Sequence, residues 1–128
     1  MLRIIAGVLI GYAVWTVIWV GVHSTLFRAA GETAARGEPI TETGPLLGML
    51  MLSVVCSVVA ALVCGMISRR SGLAAALLAA LLLLTGLGVQ IAAWKLFPIW
   101  YHLIFLPIVP VVTYVLASRC GRLYTAQP

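Results

Sequence analysis

The chain contains no aspartate and no asparagine. That excludes aspartyl proteases, Asp-ligated Mg²⁺ sites and phospho-aspartate intermediates. Its only carboxylate side chains are Glu32, Glu38 and Glu42, close together in one loop. Charged residues make up 9% of the sequence, far below the ~25% of soluble domains. There is no Cys-x-x-Cys pair, so thiol-redox and zinc-ribbon chemistry are not expected. Cys56 and Cys64 stand eight positions apart. On a helix this separates them by about 12 Å, too far for a disulfide. With Cys120 they read as small packing residues. No motif implies a metal or a cofactor, no nucleic-acid module is recognisable, and no repeat between halves suggests an inverted-repeat transporter.

What the chain does have is oil-soluble length. Of its 128 residues 63% are hydrophobic, and the mean hydropathy is +1.16. Four apolar stretches stand out: 2–22, 46–67, 73–93 and 98–117. Each is about 20 residues long, enough for an α-helix to cross ~30 Å of hydrocarbon. In lipid a helix is the natural solution because it satisfies its own backbone polar groups. The expected fold class is therefore all-α: an integral membrane protein with four transmembrane helices in an up-down antiparallel bundle, forming a single domain over 1–128. The first apolar run exceeds the 7–15 residues of a signal-peptide core, so a retained helix is expected. The remaining segments are too short for a soluble domain with its own core.

Basic residues set the expected orientation. Arg3, Arg69, Arg70, Arg119 and Arg122 fall on one side, and Arg28, Arg36 and Lys95 on the other. The positive-inside rule then puts both termini in the cytoplasm. Under that topology Trp15, Trp19, Trp94 and Trp100 lie toward the outer face, as an aromatic belt at the headgroup level. The outer loop, 27–45, carries Glu32 and Arg36 at i, i+4, which favours a short exposed helical turn. Gly37-Glu38-Pro39 ends that turn. Thr43 or Gly44 is the expected N-cap of the second span, with Pro45 just inside. The two later loops are short, so the second, third and fourth spans should be antiparallel neighbours.

Small residues recur at helix-packing spacing. The first span holds Gly7 and Gly11. The second carries Ser53, Ser57, Ala61 and Gly65, widened by Cys56, Ala60 and Cys64. The third has Gly72, Ala76 and Ala80. Such stripes let backbones approach where lipid gives no hydrophobic drive. They suit packing within the chain, a homo-oligomer or a larger membrane-protein complex. Pro107 and Pro110 in the fourth span remove two backbone donors and predict a kink.

Polar residues in spans are the natural place to seek a site. Here they are few. Gln90, Thr85 and Thr113 lie in spans, while His23, Lys95 and His102 lie near span ends. These six are the candidate ligand or pore residues. No charged residue sits mid-membrane, which argues against an ion-coupled pump. His23 and His102 with a loop Glu have metal-binding or proton-relay chemistry, yet no ligand spacing supports it. The plainer reading is two interfacial histidines, a snorkelling Lys95 and an interhelical hydrogen bond from Gln90.

In size and helix count the chain resembles small multidrug-resistance exporters. Those carry an essential Glu within the first membrane helix, and 2–22 has none. Fluoride channels and membrane-bound glutathione-dependent enzymes share the size, without their polar motifs appearing here. The overall look is that of small bacterial four-helix membrane proteins, which implies the bacterial cytoplasmic membrane. The leading expectation is a non-enzymatic accessory or scaffold subunit, or a self-associating bundle. The alternative is a small homo-oligomeric transporter or channel for an ion or amphiphile. A lipid-modifying enzyme at the outer interface ranks last.

Overall fold

The structure, a computed structural model, describes residues 1–69 and 71–125. Arg70 lies outside them, and so do the side chains of Cys120 and Arg122. The described residues form five helices and no strand: α1 (Leu2–Leu26), α2 (Arg28–Ala35), α3 (Thr43–Ser68), α4 (Ser71–Ala92) and α5 (Ile99–Thr125). Four of them, all but α2, are long and apolar enough to cross a membrane. The chain is an integral membrane protein on that ground.

The helix ends follow local chemistry. α1 runs four residues past the apolar stretch, and there Ser24 and Thr25 donate their hydroxyls to the Gly21 carbonyl, Thr25 also to that of Val22. The N-cap of α3 is Glu42 rather than Thr43 or Gly44, and Pro45 falls in the first turn. A first-turn N–H has no helical partner, so proline costs nothing there. α3 stops at Arg69, whose φ of 47° is left-handed. α5 continues through Pro107 and Pro110.

Close packing of α1 on α3 rests on two glycines. A Cβ on Gly7 would stand 3.1 Å from the Cys64 carbonyl oxygen and 3.2 Å from Ser68 Cβ. A Cβ on Gly11 would stand 3.0 Å from the Ala60 carbonyl oxygen. Numbering rises along α1 as it falls along α3. The same holds between α4 and α5, where Gly86 meets Phe105 and Gln90 meets His102. α3 also packs extensively on α5, with fewer contacts to α4.

On α3 the small face Ser53, Ser57, Ala61 and Gly65 is buried, together with Cys56, Ala60 and Cys64. Ala61 packs with Ala75 and Ala117. On α4 the inward residues are Ala74, Ala75, Leu78 and Leu82. Ala76 and Ala80 lie on the outer face, beside Pro110 and Val111.

The loop between α1 and α3 is tied down. Ile40 is buried in the core cluster, and its amide donates to the Leu96 carbonyl at 2.8 Å. The expected short helical turn is present as α2, and Glu32 pairs with Arg28 rather than Arg36. Arg28 reaches Glu32 at 3.0 Å, and Arg36 lies 3.6 Å from Glu38. Arg36 is the C-cap of α2, and its side chain turns to Thr33 Oγ1 at 3.4 Å and to Glu38.

Candidate functional site

The end of α4 and the start of α5 build the most polar buried cluster. Gln90 stands near the last turn of α4 and His102 in the first turn of α5. The connection between them, 93–98, folds the two helices back on each other. Residues at matching distances from the turn therefore meet. His102 Nδ1 is hydrogen-bonded to the Gln90 side chain. Its Nε2–H donates to the Trp94 carbonyl at 3.3 Å. Both side chains are buried, His102 at 1% exposure and Gln90 at 2%.

The proton arrangement follows from this geometry. The structure sets Gln90 Oε1 against Nδ1 and a carbonyl oxygen against Nε2; both accept, so a neutral ring meets both only when the Gln90 amide is turned to present its N–H to Nδ1. An imidazolium donates at both nitrogens, and the amide has a carbonyl to accept.

Aromatic rings seal the cluster. The Trp94 ring stacks on His102 with centroids 4.4 Å apart and planes 8° apart. Phe97 meets His102 edge-on at 6.2 Å and stacks on Tyr101 at 4.9 Å. Lys95 is exposed beside this cap, at the edge of open clefts shared with Leu96 and, on one side, Pro39 and Ile40.

The other candidate residues lie elsewhere. His23 is half-buried on α1, between Trp19 (5.7 Å) and Phe27 (6.1 Å). Thr85 donates to the Leu81 carbonyl at 2.9 Å, so the Tyr12 hydroxyl is the donor in its 3.0 Å bond to Thr85. Thr113 is buried and donates to the Val109 carbonyl at 2.7 Å. Gln90, Thr85 and Thr113 thus serve three separate bonds.

Two features escaped sequence reasoning. Trp15 is not a headgroup residue: it is 5% exposed, and its Nε1–H donates to Ser57 Oγ at 3.2 Å. Ser57 in turn donates to the Ser53 carbonyl, and Ser53 to that of Leu50. An indole N–H so placed satisfies itself inside the bundle, where a belt would offer it water. The second feature is a column of rings on α1: Trp15, Trp19, His23 and Phe27, with successive centroids 5.4, 5.7 and 6.1 Å apart. Their four-residue spacing was the available signal.

Among the described residues no buried side-chain nitrogen or oxygen lacks a hydrogen-bond partner. No group of three or more His, Cys, Asp or Glu among them is placed to hold a metal ion. No protein-family model, curated protein or solved structure matches the chain.

Proposed function

We propose that this chain is a non-enzymatic membrane bundle that acts through helix packing, as a self-associating protein or an accessory subunit of a larger membrane complex. It sits as an up-down antiparallel bundle in the bacterial cytoplasmic membrane, with both termini inside. One observation carries the reading: among the described residues no buried polar side-chain atom of the spans is left without a hydrogen-bond partner, while Ala76 and Ala80 face outward. Reactive chemistry needs a group left available for substrate, and a helix partner needs a surface without bulk.

That outer surface is an apolar groove between α4 and α5, lined by Ala76, Ala79, Ala80, Leu83, Pro110 and Val111 among others. Its floor is alanine, so the backbone of an incoming helix can come close. Native mass measurement after mild detergent extraction tests the reading. The wild-type chain is expected as an oligomer or with a bound protein subunit, and Ala76→Leu/Ala80→Leu as a smaller species. A wild-type monomer with no co-purifying subunit removes the proposal.

A further inference from the structure

The net charge of this protein belongs to one set of arginines in the sequence. At the loop end lie Arg28, Arg36 and Lys95, opposed by Glu32, Glu38 and Glu42, so the formal charges there cancel. Two of these arginines sit beside glutamates, at 3.0 Å and 3.6 Å. The whole formal charge of +5 therefore belongs to Arg3, Arg69, Arg70, Arg119 and Arg122.

Among the described residues the fold gathers Arg3, Arg69 and Arg119 at one end. Arg3 and Arg69 line a common cleft with Met1, Leu2, Ile4 and Ser68. Ala117, two residues before Arg119, packs on Ala61 and Ala75, which places that part of α5 beside the end of α3 and the start of α4. The glutamates are too distant to compensate. α3 alone spans roughly 39 Å at 1.5 Å per residue, several times the ~8 Å screening length at physiological salt. No carboxylate side chain belongs to the basic end.

We propose that the cleft between the start of α1 and the end of α3 binds the headgroup of an anionic phospholipid, with Arg3 and Arg69 facing the phosphate. The site is amphipathic: Leu2 is 82% exposed next to Arg3, and Ile4 continues the apolar wall. Guanidinium groups suit phosphate oxygens, and exposed aliphatic side chains at that depth suit the upper acyl chains. A lipid meets both needs at once, whereas free phosphate meets one. The proposal does not depend on self-association.

The test uses the full-length chain in mixed micelles containing equal phosphatidylglycerol and phosphatidylcholine, with retained lipid read by native mass spectrometry. The wild type is expected to retain phosphatidylglycerol preferentially. Arg3→Gln and Arg69→Gln should each lower that preference about fivefold, the worth of one basic residue near an anionic surface. Arg28→Gln/Arg36→Gln at the opposite end should leave it unchanged. Arg69→Gln keeps a non-glycine residue at the left-handed position, so the turn is not newly strained. Equal retention of the two lipids by the wild type overturns the proposal. So does an equal loss from the loop-end pair, or displacement of the lipid by millimolar glycerol phosphate. If either variant fails to fold, the wild-type preference must still fall with rising salt, and a salt-independent preference overturns the proposal as well.

Discussion

Gly11 faces the carbonyl oxygen of Ala60 across the α1–α3 seam, so closely that a Cβ would stand 3.0 Å from it. The obstacle is backbone, which cannot rotate aside. Gly11→Val is therefore expected to force the helices apart and cost about 1–3 kcal/mol, the usual range for overpacking. Gly21→Val on the same helix, with open space around it, should leave stability nearly unchanged. Thermal unfolding in detergent, followed by near-UV circular dichroism, compares the two.

The Gln90–His102 bond predicts non-additivity. Removing His102 leaves Gln90 buried and unpaired, and removing Gln90 leaves His102 Nδ1 without its partner, each at a cost of about 1–3 kcal/mol. Replacing both with leucine removes the unmet group. Gln90→Leu/His102→Leu is thus expected to cost less than its two single variants together, with a coupling of about 0.6–2 kcal/mol. A double-mutant cycle read by reversible unfolding in mixed micelles measures it. Strict additivity would show that the bond carries no energy of its own.

Trp15 gives a milder test. Trp15→Phe keeps a ring against the core but deletes the N–H that Ser57 accepts. Ser57 retains its own bond to the Ser53 carbonyl, so nothing is left stranded as a donor. The expected loss is about 0.6–1.7 kcal/mol, the range of interhelical hydrogen bonds in membranes. Trp15→Ala should cost more, because the ring stacked on Trp19 goes with it. Unfolding midpoints of the two variants set the order.

Orientation is tested by labelling. In a background with Cys56, Cys64 and Cys120 replaced, Glu38→Cys should react with a membrane-impermeant maleimide on intact cells. Ser118→Cys should react only after permeabilisation. The opposite pattern would invert the bundle and move the basic end to the outside.

The spans were legible because length and hydropathy are properties of a single segment. The pairing of Gly7 and Gly11 with α3 was half legible: the spacing announced a close approach but not its partner. α4 shows the limit. Ala76 and Ala80 have the spacing of packing residues, yet the neighbouring positions Ala74, Ala75, Leu78 and Leu82 turn inward. A helix that is apolar all round gives little sign of which face is buried. The Gln90–His102 contact was recoverable in principle, since both residues lie at similar distances from one short turn. The Trp15 bond was not, because it joins helices whose relative rotation no local pattern encodes.

Ile40 has a practical consequence. Its burial and its amide bond to Leu96 pin the segment between α1 and α3 at one point. Gly37, with a φ of 74° and open space around it, lies three residues before that point. An epitope tag spliced in at Gly37 would extend outward without disturbing the helices. The same tag placed after Ile40 would pull a plug from the mouth of the bundle.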